Sequence, residues 1–206
     1  MTATNRSAQG TIVLPSSDPR ALPEALWALR DGRVIVLPTD TVYGVGCDLW
    51  QPQAIERLYE AKQRPRRLPI PALVSSWEHV RLVGVPEPPL FERLAEWFWP
   101  GGLTLILRRR PYVPDILTAG GETIAVRMPN DSFALQLIAE MGGALAVTSA
   151  NLSGRPEART VEEALCDLDG RVALALDGGP CPGGVASSVV DLVSYPPALL
   201  RLGSIC

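Results

Sequence analysis

The run Val34-Ile35-Val36-Leu37, set between Asp31-Gly32 and Pro38, limits the fold more than any other feature. A strand with one wet face alternates polar and apolar residues, so an unbroken β-branched run fits a strand buried on both faces. Such a strand needs a covering layer on each side. Helical spacing supplies the layers: Leu22, Ala25, Leu26 and Leu29 share one face over 19–30, and Ala54, Ile55, Leu58 and Tyr59 share another. The alternation continues, with strands expected over 11–14, 34–37, 70–74, 103–107, 123–127, 145–148, 172–176, 187–193 and 199–202. Further helices are expected over 90–99, 131–141 and 160–168. This interleaving predicts a single-domain α/β fold, a twisted sheet with flanking helices. The sheet should be mixed, because the last strands follow one another without room for a crossover helix. Residues 1–10 read as a flexible tail ahead of one domain over 11–206.

The chain has 206 residues, of which 47% are hydrophobic and 20% charged, enough for one domain with a full core. No leader-like segment and no run of about 18 apolar residues is present, so the expected setting is cytoplasmic, with no membrane contact. Cys47, Cys166, Cys181 and Cys206 form no Cys-x-x-Cys pair and His79 is the only histidine, which supports neither a metal site nor a disulfide framework. A net charge of −3 excludes wholesale coating of nucleic acid. Any phosphate contact must be a local pocket or patch.

Polar loops follow several of the buried strands. Pro38-Thr39-Asp40-Thr41-Val42-Tyr43-Gly44-Val45-Gly46 gathers hydroxyls, a carboxylate and glycines; it is a capped turn or a ligand loop at a strand's carboxyl end. Lys62-Gln63-Arg64-Pro65-Arg66-Arg67 places four cations at a helix end, which suits either a solvated terminus or a polyphosphate. Arg127, closing the strand over 123–127, either pairs with a structural acid or clamps a carboxylate. Thr148-Ser149-Ala150-Asn151-Leu152-Ser153-Gly154 repeats the strand-then-polar-loop pattern, and Ser187-Ser188 follows a glycine-rich stretch. The aromatics of Trp97-Phe98-Trp99 read as core anchors, and Arg108-Arg109-Arg110 as solvent-facing. No Walker A loop or dinucleotide fingerprint occurs, and His79 sits on an expected surface segment, so a hydrolase triad lacks its base. Electrostatic catalysis on a phosphate ester remains, with cations and hydroxyls orienting the substitution.

Taken in order, Pro38 to Gly46, Lys62-Gln63-Arg64-Pro65, Trp99-Pro100-Gly101, Ala125-Val126-Arg127, Ser149 to Gly154 and Ser187-Ser188-Val189-Val190-Asp191, with Arg201, resemble the motif series of the YrdC-like threonylcarbamoyl-AMP synthase family. The resemblance implies a YrdC-like domain over 11–206 with a cationic cavity. It also implies a nucleotidyltransferase that joins ATP, L-threonine and bicarbonate into threonylcarbamoyl-AMP and pyrophosphate, with Mg²⁺ accompanying ATP and no metal held by protein alone. A downstream tRNA threonylcarbamoyltransferase would use the product, and weak RNA contact is a possible accompaniment. By motif position, Thr41, Arg127, Val147 (through its backbone) and Ser187 should hold threonine. Lys62, Arg64, Thr123, Ser149, Asn151 and Arg201 should surround ATP, with Lys62 and Arg64 catalytic. The chain departs from the pattern at Leu68 and Leu73, where relatives often carry Asn, Lys or His, and at Glu157, where a small hydroxyl residue is common. The alternative is an RNA- or nucleotide-binding module of the same fold without synthase activity, for which salt-sensitive RNA binding without ATP consumption would be diagnostic.

Overall fold

The computed structural model describes residues 10–205 and the backbone of Asn5 and Arg6. The expected tail over 1–10 lies largely outside the described residues. In chain order the elements are β1 (Asn5–Arg6), β2 (Ile12–Pro15), α1 (Ala21–Arg30), β3 (Ile35–Leu37), β4 (Gly44–Cys47), α2 (Pro52–Lys62), β5 (Ala72–Val74), α3 (Trp77–Val83), β6 (Gly84–Val85) and α4 (Leu90–Phe98). They continue with β7 (Leu103–Arg109), β8 (Thr123–Arg127), α5 (Ser132–Glu140), β9 (Ala144–Ser149), α6 (Val161–Leu168), β10 (Leu174–Asp177), β11 (Ser188–Asp191) and β12 (Ala198–Arg201).

The strands form one mixed sheet in the order β1-β2-β10-β3-β4-β9-β5-β8-β7-β11-β12, with β6 pairing to β7 off this path. β10 runs parallel to β2 and β3, β8 to β5, and β11 to β7; the remaining pairs are antiparallel. Side chains alternate across the sheet. Ile35 and Leu37 pack on one face with Leu26 and Leu29 of α1 and Leu137 and Ile138 of α5, while Val34 and Val36 pack on the other with Ile55 and Leu58 of α2. The β-branched run is thus buried on both faces, as its lack of alternation required. A fully buried leucine such as Leu105 contributes ~1.5–3 kcal/mol by leaving water.

Local chemistry sets the helix ends. Asp131 and Thr160 accept hydrogen bonds from the amides of Ala134 and Glu163, capping α5 and α6, and Ser76 does so for His79 at α3. α2 begins at Pro52 and stops at Gln63, whose φ of 50° is left-handed. This residue turns the chain sharply after Lys62.

Four elements escape the sequence pattern, the first being β1, which lies inside the stretch expected to be a flexible tail. β4 lies inside the stretch expected to be a loop, because two of its four residues are glycines, which strands usually lack. Here they are needed. A Cβ on Gly46 would lie 2.5 Å from the Ala146 carbonyl oxygen and one on Gly44 would lie 2.7 Å from Val147 Cγ1, so only glycine lets β4 pair closely with β9. The short α3 and β6 carry too little periodicity to be recognised. Two further expectations are corrected. Trp99 is buried and its Nε1 donates to Leu103 O at 2.6 Å, but Trp97 is 73% exposed and anchors no core. Arg109 does not face solvent: its guanidinium donates to Val113 O and pairs with Asp115 at 2.8 Å.

Candidate active site

Strand register brings most of the expected site residues together. Leu73 of β5 and Thr104 of β7 both stand opposite Arg127 of β8, so three adjacent strands set these residues in one row. β11 begins beside β7 with Ser188 opposite Leu103, which places Ser187 at the same edge. On the other side Gly44 stands opposite Ser149. The polar groups therefore come from strand beginnings as well as ends. In a mixed sheet antiparallel neighbours reverse the chain, so the rule that ligands meet only the carboxyl ends of strands does not hold here.

These residues line a cavity of about 230 Å³ bounded by Thr39, Thr41, Tyr43, Gly44, Arg64, Pro69, Pro71, Leu73, Thr104, Arg127, Val147, Thr148, Ser149, Glu157, Ala186, Ser187 and Arg201, among others. A wider depression of about 620 Å³ lies at the opposite ends of β3 and β10, beside Arg33, Arg57 and Arg171, but none of the polar strand-end loops reaches it. The smaller cavity is therefore the candidate site.

At its centre Arg127 is buried and held on three sides. Its Nε donates to Gly101 O at 2.9 Å, Nη1 donates to Thr41 Oγ1 at 2.7 Å, and Nη2 pairs with Asp40 Oδ1, which also accepts the Asn130 amide at 2.9 Å. Sequence left open whether this arginine meets a structural acid or a ligand; it meets Asp40 and still faces the cavity. A guanidinium has five N–H donors, so two remain for a carboxylate. Burial pulls the Arg127 pKa down while the Asp40 carboxylate opposes that pull, so the group keeps its charge. Thr41 Oγ1 also lies 3.2 Å from Thr39 Oγ1, whose own proton goes to Val42 O at 2.7 Å. Ser187 Oγ pairs with Thr104 Oγ1 at 2.7 Å and accepts from Arg201 Nη2 at 3.3 Å, while Arg201 Nε donates to Ser187 O at 2.9 Å. The Val147 amide is engaged with Pro71 O at 3.0 Å, so that backbone N–H is not free for a ligand.

The basic run after α2 divides by the direction of its side chains. Arg64 lines the cavity and donates to Leu68 O and Pro69 O at 3.1 and 2.9 Å. Arg66 instead pairs with Glu56 and lies over the Tyr59 ring. Lys62 is 1% exposed and lies behind the cavity wall, its ammonium donating to Ser149 O and, at 2.7 Å, to Asn151 O. Burial, reinforced by the Arg64 charge, lowers its pKa to about 7. Asn151 is equally withdrawn: its Nδ2 shapes the turn by donating to Leu152 O and Arg155 O, and its Oδ1 is buried without a hydrogen-bond partner.

Thr123 does not join the group. It begins β8, opposite Arg108, and lies four residues from Arg127, roughly 13 Å along the strand. Of the departures, Leu73 forms apolar wall and Leu68 contributes its carbonyl to Arg64, while Glu157 lines the cavity. Sequence reasoning missed Thr104, hidden in the apolar run Leu103-Thr104-Leu105, and Asp40 as the partner of Arg127. The one available signal for Thr104 was a hydroxyl residue inside an otherwise apolar strand. The Tyr43 hydroxyl, which donates to Gly179 O at 2.8 Å, also ties the glycine-rich loop to this wall. His79 shares a 2.9 Å hydrogen bond with Ser75, on α3 and apart from the cavity lining. Cys47 is fully buried, which pushes its thiol pKa up and leaves it an inert apolar residue.

Among the described residues no group of three or more His, Cys, Asp or Glu could hold a metal ion, and no helix is long and apolar enough to cross a membrane.

Comparison with known proteins agrees with this geometry. Over residues 27–203 the chain matches the Sua5_yciO_yrdC family model, described as "Telomere recombination". It is 42% identical over 196 residues to threonylcarbamoyl-AMP synthase of Bacillus subtilis, covering 93% of this chain and 56% of that protein. It is 39% identical over 177 residues to the protein of that name from Pyrococcus abyssi, covering 86% and 52% respectively. The chain thus spans about half the length of these curated relatives. The solved structure of P. abyssi Sua5 complexed with L-threonine superposes with a TM-score of 0.86 at 38% identity, covering 89% of this chain and 54% of that one. The ordered motifs, the mixed sheet and the family match over most of the chain establish that it belongs to the Sua5/YciO/YrdC family.

Proposed function

We propose that this chain makes L-threonylcarbamoyl-AMP and pyrophosphate from L-threonine, bicarbonate and ATP. The observation that carries the reading is Arg127, a buried guanidinium with two uncommitted N–H groups beside the Thr41 and Ser187 hydroxyls. That arrangement suits an α-amino-acid carboxylate, with the Thr104–Ser187 pair offering hydroxyls to the remaining polar groups. The relatives named threonylcarbamoyl-AMP synthase and the threonine complex of Sua5 support the assignment.

The enclosed volume falls below the roughly 300–1,000 Å³ of drug-sized sites, so it suits threonine, while a nucleotide would extend toward Ser149, Arg64 and Arg201. Arg127 orients threonine so that its amine, condensed with bicarbonate to a carbamate with loss of one water, presents a carbamate oxygen to the α-phosphorus. That oxygen forms the new P–O bond as the bond to pyrophosphate breaks. Arg64 and Arg201 offset charge gathering on the phosphoryl oxygens. Lys62 has used two of its three N–H donors to hold the Ser149–Asn151 backbone, and the third supplies positive charge from behind. Magnesium would arrive bound to ATP, where it neutralises phosphate charge.

By the same reading residues 11–206 form the catalytic unit, which works in the cytosol and hands its adenylate to a tRNA threonylcarbamoyltransferase. RNA contact, if present, is weak and local. The test is mass spectrometry of the 206-residue chain incubated with ATP, Mg²⁺, bicarbonate and L-threonine, with L-serine and Arg127→Gln as controls. Threonylcarbamoyl-AMP that requires threonine and Arg127 is the expected product. ATP or RNA binding with no adduct and no pyrophosphate would instead leave the chain a binding module.

A further inference from the structure

Glu157 is the one acid lining the cavity among the described residues. Its backbone is held on both sides: Arg155 O accepts from Asn151 Nδ2 at 2.7 Å and Ala158 O accepts the Tyr43 amide at 2.8 Å. Three guanidinium groups share the cavity with it, and each is engaged elsewhere. Arg127 pairs with Asp40, Arg64 donates to Leu68 O and Pro69 O, and Arg201 donates to Ser187. Among the described residues the Glu157 carboxylate has no hydrogen bond or ion pair with any of them.

A carboxylate amid arginines gains most by pairing, so one held apart on an anchored loop presents its charge to something else. It lies near the Lys62 end of the cavity, where its charge acts on that ammonium. A triphosphate placed there would be repelled by Glu157 unless a cation stood between them. Magnesium meets this need, since it takes one or two carboxylates together with phosphate oxygens and keeps several waters.

We propose that Glu157 is this protein's ligand, directly or through a metal-bound water, for the divalent cation that accompanies a nucleoside triphosphate in the cavity. The proposal rests on the nucleotide reading given above. It makes the departure from a small hydroxyl residue at this position a working part of the site.

The experiment is calorimetric titration of the full chain with ATP, without threonine or bicarbonate, once in EDTA and once in excess Mg²⁺. Wild-type protein binds the metal complex more tightly than metal-free ATP. Glu157→Gln loses roughly 10–100-fold in the Mg²⁺ arm alone. Its EDTA arm is unchanged or tightens, because a negative charge has gone. Mn²⁺ in place of Mg²⁺, followed by electron paramagnetic resonance, gives the same contrast as retained or lost immobilised metal. Glu157→Ser repeats the measurement, and circular dichroism confirms that both variants fold. Equal losses in both arms, or a Mg²⁺ arm that the substitution leaves untouched, would overturn the assignment of Glu157 while leaving the nucleotide site standing. Wild-type protein that binds ATP in neither arm would remove the nucleotide reading itself, and this proposal with it.

Discussion

Lys62 offers the sharpest quantitative test of the nucleotide end. Its ammonium is buried against the carbonyls of Ser149 and Asn151, and desolvation followed by the Arg64 charge brings its pKa from 10.5 to about 7. A triphosphate in the cavity would restore the charged form, because its negative charge acts on the ammonium through the intervening wall. At pH 8 a group of pKa 7 is about one-eleventh protonated, so nucleotide binding takes up about 0.9 proton, falling to about 0.1 at pH 6. Above pH 7 the apparent affinity should then drop about tenfold per pH unit. Calorimetry of ATP binding at pH 8, in buffers of different ionisation enthalpy, reads the uptake as the slope of observed against buffer enthalpy. Lys62→Met should abolish it. A wild-type slope near zero at pH 8, or the same slope in Lys62→Met, would refute the claim that Lys62 recharges on binding.

The same burial makes a stability prediction. Between about pH 7 and 10 the unfolded chain binds a proton at Lys62 that the folded chain does not, so this residue makes stability rise with pH across that window, and urea denaturation should show a shallower rise in Lys62→Met. Asp40→Ala leaves Arg127 buried without its acid and should cost ~3–5 kcal/mol in urea unfolding, with loss of threonine binding by calorimetry. Gly46→Ala drives a Cβ to 2.5 Å from Ala146 O and should lower stability by ~1–3 kcal/mol, seen as a reduced denaturation midpoint. Gln63→Gly relieves a left-handed φ of 50° and should gain about 1 kcal/mol in the same assay; unchanged stability would show that the turn is not strained.

The sequence made the sheet readable wherever burial on both faces produced unbroken apolar runs, as at Ile35–Leu37 and over 145–147. It hid β4, whose glycines answer to a neighbouring strand rather than to local propensity. The site was legible by the same logic: Thr41, Arg127, Ser149, Ser187, Arg64 and Arg201 were marked by ordered motifs and do converge on one cavity. What sequence could not show was direction. Lys62 and Arg64 are two residues apart, yet one is enclosed behind the wall and the other lines it, because Gln63 reverses the backbone between them. Nor could it reveal that Asp40, a plain turn residue by pattern, closes on an arginine 87 positions away.

Arg201 belongs to β12, the last strand of the sheet, which pairs only with β11 across an irregular register at Val189 and Val190. Leu199 and Leu200 beside it are each 59% exposed, so little apolar burial fastens this segment. Amide exchange should therefore be fast along β12 and slow in β7 and β8, whose strands are flanked on both sides. By this reasoning the cavity is expected to join a rigid end around Arg127 to a rim at β12 that opens by local unfolding. A nucleotide gripping Arg201 would be expected to protect β12 against exchange, and its departure to release that strand again without disturbing the core.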